Sequence, residues 1–225
     1  MPRSKKTRTR FSEGSEPRHI RKMRQIRAEV AAEAARILAT EGQHNYHAAK
    51  KKAAERIGVS ERLALPSNIE VKEALSSYQA LYGGTAHRDN LEDLRRAASL
   101  AMQLLERFQP RLVGSVLDGT ANAYSRVALH VFADSVESVV LYFLERSKPF
   151  AQEQRQIRWV DGEHRTVQLV VFELDGVEIE LTVFDPVHLR QSPPSPIDGR
   201  PQHRAGLAEV EYLLGETAGE LIRSA

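Results

Sequence analysis

The sequence predicts an α+β protein, a helical N-terminal region followed by a small mixed sheet flanked by helices. Three observations carry this reading. Apolar residues recur at helical spacing as far as Phe108, and from Leu112 onward they fall in short runs that alternate. Asp161-Gly162 and Asp175-Gly176 punctuate the second half as turns between strands. The chain has 225 residues, 41% of them hydrophobic, which suits one domain carrying a helical extension.

Charge sets the first segment apart. Residues 1–27 carry ten Lys/Arg and two Glu, so the remaining 198 residues of this +2 chain sum to −6. Residues 1–17 have few apolar side chains to bury and are expected to be a disordered basic arm. An arm of this kind suits a polyanion such as a nucleic acid, or serves as a solubilising tail. Phe11 and Ile20 make too poor an apolar face for a mitochondrial leader.

Residues 18–87 read as a helical region. The first helix, from about 18 to 41, sets Ile26, Val30, Ala34, Ile37 and Leu38 on one stripe, and Gly42 suits its end. Residues 45–58 give a second helix. A third follows Pro66, where Ser67 and Glu70 form a capping box, and Gly83-Gly84 ends it. Residues 88–108 give a fourth, with Leu91, Leu94, Ala98, Leu105 and Phe108 aligned and Pro110 as its stop.

Residues 88–225 are expected to form the second unit. Strands are predicted at Leu112–Val113 and Val127–Phe132, then a helix over 135–146 capped by Ser135. Three more strands lie in 154–160, 166–174 and 177–184. A Pro-rich loop, 185–205, packs over the sheet, and a helix over 207–221 closes the chain. Gly114-Ser115 falls between two strands and is expected to form a hairpin. Such a Gly permits close approach of a phosphate, and the Ser hydroxyl adds a donor.

This order of elements, with "LVGS" at residues 112–115, resembles the nucleotidyltransferase fold of the DNA polymerase beta type over roughly residues 88–184. That family follows Gly-Ser, about ten residues later, with Ser-Asp-x-Asp-Leu on the next strand. Here the corresponding stretch is Ser125-Arg126-Val127-Ala128-Leu129, so Arg126 and Ala128 stand where the family has its two acids. The resemblance places a third carboxylate on a later strand, at Glu180 or alternatively Glu178. The tail 195–201, "SPIDGRP", is similar to that of a bacterial set of small nucleotidyltransferase-like proteins of unassigned role.

The resemblance implies a nucleotide partner, and a phosphate site built from Gly114, Ser115, Arg126 and His130. Arg126, Ala128 and His130 share one face of a strand. That face either holds a phosphate directly or has Arg126 paired with Glu178 or Glu180 and His130 solvated. Two-metal transfer needs carboxylates to offset the charge of magnesium. Glu180 alone does not supply them, so no cofactor is expected. The function expected is non-catalytic binding of a nucleotide, phosphate or RNA-type partner in a regulatory or scaffolding role. The alternative is an active transferase using magnesium and displaced acids, for which Asp118 and Asp134 are the candidates.

Other classes are weaker. The chain has no Cys, which excludes thiolate chemistry and disulfides. His44 and His47 lack a ligand pattern, and no nucleophile elbow or Walker loop occurs. Residues 53–60, "AAERIGVS", resemble the start of a helix-turn-helix, but Pro66 falls where a recognition helix would run. No apolar run nears the roughly 20 residues that cross a bilayer. No signal peptide begins the chain, so a cytoplasmic protein without a membrane partner is expected.

Overall fold

Capping side chains and glycines divide the N-terminal half into helices. In the computed structural model, which describes residues 17–43, 45–60 and 65–224 (backbone alone for 216–224), these are α1 (Arg18–Thr40), α2 (Tyr46–Ile57), α3 (Asn68–Tyr82) and α4 (Gly84–Leu104). The disorder expected of residues 1–16 lies outside the described residues. Asn45 opens α2 by accepting from the backbone N–H groups of His47 and Ala48, and left-handed Gly58 closes it. The capping box of α3 is formed: Glu70 N–H donates to Ser67 Oγ, and Ser67 N–H donates to the Glu70 carboxylate at 2.6 Å.

Gly83-Gly84 ends α3 as expected but leaves no loop. Gly84 has φ +55, a left-handed value that bends the chain directly into α4. The fourth helix therefore starts four residues before Arg88 and stops at Leu104. A 3-10 turn, Glu106–Phe108, then carries Phe108 into the core.

Two apolar cores follow from these stripes. Val30, Ala34 and Ile37 of α1 pack with Ala49 and Ala53 of α2 and with Val71 and Leu75 of α3. Leu94, Met102 and Leu105 pack instead with Val127, Leu129, Val131, Phe143 and Leu181. Polar contacts tie the halves. Asn122 Nδ2 donates to Leu38 O at 2.7 Å, Gln79 Nε2 to Thr120 O at 3.0 Å, and Lys72 pairs with Asp118 at 2.7 Å.

The sheet contains β1 (Arg111–Val113), β2 (Val127–Phe132), β3 (Ala151–Arg158), β4 (His164–Leu174) and β5 (Val177–Phe184), in the order β1-β2-β5-β4-β3. β2 and β5 run parallel and the other neighbours antiparallel, so the sheet is mixed. Strand β3 starts three residues before the expected Gln154 and stops at Arg158. Beyond it, Trp159 N–H donates to Glu163 O in the turn and its ring is buried.

Gly114-Ser115 is not a tight hairpin. Gly114 has φ 75 and ψ −152, a region open only to glycine, and it breaks the chain out of β1. A single helical turn, α5 (Ser115–Asp118), follows, and Ser115 O accepts from Thr120 and Ala121 N–H. Helices α6 (Val136–Glu145) and α7 (Leu207–Ser224) complete the fold.

Residues of α4, α6 and α7 cover one sheet face. On the other face Phe132, Trp159, Val167, Leu169 and Phe184 cluster. The Pro-rich segment reaches this side of the molecule and rejoins the sheet edge through a bridge between Ala205 and Leu112. Among the described residues, no helix is long and apolar enough to cross a membrane.

Candidate functional site

Alternation on β2 sends Val127, Leu129 and Val131 into the core. Arg126, Ala128, His130 and Phe132 therefore share the opposite face. The register fixes their neighbours on β5: Ala128 lies opposite Glu180, and His130 opposite Thr182. Glu178 and Glu180 stand on this same face, two residues apart.

The Arg126 end of the face is an ion-pair network. Glu180 is buried, its side chain 6% exposed. Arg155 of β3 holds it in a fork, Nη1 donating to Oε1 and Nη2 to Oε2, both at 2.7 Å. Such two-pronged pairing fixes geometry as well as charge. Arg126 Nε donates to Glu178 at 3.2 Å, and its Nη1 donates to both oxygens of Glu153 at 3.3 Å. Nη1 also lies 3.6 Å from Glu180. Arg126 thus pairs with both of the acids considered for it, and with Glu153 besides. Glu153 and Arg155 were not singled out from the sequence. The available signal was their spacing of two on a polar strand, which puts opposite charges on one face.

The His130 end is different. His130 is 5% exposed, not solvated. Arg204 Nε donates to its Nδ1 at 2.9 Å, which makes Nδ1 the acceptor and leaves the ring proton on Nε2. Its ring meets that of Phe184 edge-on, at 4.7 Å between centroids. The Arg204 guanidinium lies over Phe132 and Phe184, and its Nη1 donates to His188 O at 2.7 Å. Its Nη2 is buried without a partner among the described residues. Burial, and then the charge of Arg111, push Arg204 down to about 10.

Arg126 and His130 lie about 13 Å apart along the strand, four residues at about 3.3 Å each. They belong to separate clusters with Ala128 between. Gly114 follows Val113, whose register partner is Ala128, so the Gly114-Ser115 turn leaves β1 near the Arg126 end. Ser115 is half-buried, and a Cβ on Gly114 would meet nothing within 4 Å. Conformation, not close approach, requires glycine there. Asp118 is held by Lys72, and Asp134 is exposed past the end of β2. Among the described residues, no group of three or more His, Asp or Glu side chains is placed to hold a metal ion. α2 ends at Ile57, and the next described helix starts only at Asn68, beyond Pro66. Residues 61–64 and His44 lie outside the described residues.

His130 should make the fold acid-sensitive. Burial, then the charge of Arg204, push its pKa down to about 3 from an ordinary 6.5. The unfolded chain takes up a proton below pH 6.5 that the folded chain refuses until about 3. Stability is therefore full above 6.5 and falls through this window at up to about 1.4 kcal/mol per pH unit, roughly 2 kcal/mol by pH 5. Urea unfolding of wild type and His130→Gln at pH 7.5 and 5 checks this. The substitution should remove that increment, whatever it does to stability at pH 7.5.

Comparison of the chain with protein-family models, with curated proteins and with solved structures found no match.

Proposed function

We propose that the protein is a nucleotidyltransferase-like binding protein without metal-dependent transfer, holding a phosphate-bearing, RNA-type polyanion in a regulatory or scaffolding role. The observation that carries this is the state of Glu180. It lies opposite Ala128, next to Arg126, with both carboxylate oxygens engaged by Arg155. A dication there would have to displace the guanidinium fork from a buried carboxylate and sit beside a second cation. Oxygen ligands for magnesium must offset its charge, and here arginines already do so.

The cationic end of α1 supports the choice of partner. From Arg18 to Arg27 it carries five Lys/Arg and no acid, and every residue of that stretch is exposed or half-exposed. Cations in the first turn oppose the helix dipole, and like charges three and four apart repel. A polyanion relieves both. The open face itself offers less to a phosphate, because Arg126 is already shared among three glutamates.

The test pairs two measurements on the full chain. Calorimetry with manganese and a nucleoside triphosphate should give no stoichiometric site. A micromolar metal site that Glu180→Ala abolishes would overturn the reading. Anisotropy with a labelled 20-nucleotide RNA should show binding that weakens steeply with salt and is mostly lost without residues 1–24. Equal affinity after that deletion would move the contact to the body of the protein.

A further inference from the structure

Strand β3 is the free edge of the sheet. It pairs with β4 on one side and with no strand on the other among the described residues. Six of its eight residues are exposed, and Glu153 and Ile157 are half-buried. An edge strand without Pro or Gly is a template for strand addition unless its side chains forbid it.

The side chains of β3 do the reverse for one partner, the strand itself. It reads Ala151-Gln152-Glu153-Gln154-Arg155-Gln156-Ile157 before Arg158. Laid antiparallel against its own copy with Gln154 opposite Gln154, it sets Glu153 opposite Arg155 twice, Gln152 opposite Gln156 twice, and Ala151 opposite Ile157 twice. Neighbouring symmetric registers lose this. Centring on Glu153 or Arg155 sets like charges opposite each other, and centring on Gln152 or Gln156 sets each charge opposite an aliphatic residue or misses it. Opposite charges directly across a strand pair stabilise it, and like charges there destabilise it.

We propose that β3 is a homodimer edge, a second copy of this chain pairing with it antiparallel about a two-fold axis at Gln154. The two five-stranded sheets join into one of ten strands, and the interface is the same surface on both copies, as a two-fold axis requires. Glu153 and Arg155 face the ion-pair site, with side chains 41% and 51% exposed, so each has room for a second partner. Glu153 of one copy then reaches Arg155 of the other, and the two networks become one. One strand pair is smaller than the roughly 800 Å² per partner of a standard interface, so the dimer is weak and reversible.

The full chain has no Cys, so one introduced thiol reports the register. Gln154→Cys places the thiol opposite its own copy, with Cα atoms about 4.5–5.5 Å apart, within the range of about 4.4–6.8 Å that a disulfide spans. Gln152→Cys separates the two thiols by about 14 Å along the strands. At about 100 µM protein, Gln154→Cys should oxidise to a covalent dimer at least tenfold faster than Gln152→Cys. Sedimentation should show Glu153→Arg and Arg155→Glu each mainly monomeric and their mixture dimeric, because the mixture restores both opposite pairs. A wild-type chain that stays monomeric at that concentration, with equal crosslinking of the two Cys variants, would overturn the proposal. So would folded charge variants whose mixture stays monomeric.

Discussion

Arg155→Ala is expected to lower the stability of the fold by about 2 kcal/mol in urea unfolding. Breaking a buried ion pair from one side typically costs about 3–5 kcal/mol, because it strands a charge away from water. Glu180 is that charge here, with its side chain 6% exposed. Two features reduce the figure. Arg155 is itself half-exposed, so part of the pair is screened by solvent. Arg126 remains 3.6 Å from Glu180 and takes up some of the lost attraction. The sign of a second substitution is the sharper test. Adding Glu180→Ala to Arg155→Ala should recover stability, since no charge is then stranded. Non-additivity of at least about 1 kcal/mol is expected for residues in one network. If the two losses simply add, Glu180 is not held by Arg155, and the metal-free reading of the face loses its main support.

Much of the fold was legible because its signals are local. Ser67 with Glu70 marked the start of α3 to the residue, and the alternation of Val127, Leu129 and Val131 identified the core side of β2. Asp175-Gly176 located the β4–β5 turn. The misses involve partners distant in sequence or a backbone choice at one glycine. Nothing near Gly84 says that a left-handed residue will fuse two helices, when Gly-Gly so often opens a loop. Likewise a strand followed by Gly-Ser does not announce the single turn of α5. The site was half-legible. The alternation rule found Arg126, Ala128 and His130 on one face, and the resemblance supplied Glu180. The pairings of Arg155 with Glu180 and of Arg204 with His130 could not be read, because the partners lie 25 and 74 residues apart. Charge patterning read along the chain cannot see contacts that only the strand order creates.

Placing acids at residues 126 and 128 is expected to convert the network into a metal site. In Arg126→Asp with Ala128→Asp, residue 128 presents a carboxylate directly opposite Glu180. Residue 126 adds another beside Glu153 and Glu178, where its guanidinium formerly paired with them. Without metal this crowding of like charges is unfavourable, and the variant should unfold more readily than wild type. With manganese at about 100 times its dissociation constant, binding should return about 2.7 kcal/mol of stability. Wild type should not respond. The response should vanish when Glu180→Ala is added, because the metal then loses its ligand on β5. Arg155 is the remaining competitor, since its fork occupies both Glu180 oxygens. Replacing it as well, with Arg155→Gln, should free those oxygens and strengthen the metal response further. A variant whose stability is indifferent to metal even after that third change would mean that carboxylates in this register do not converge on a common point. A wild type stabilised as much as the variant would mean that the metal binds elsewhere. The first result would count against the proposed transferase-like arrangement of this face at the level of geometry, and the second would leave the face without a part in the metal response.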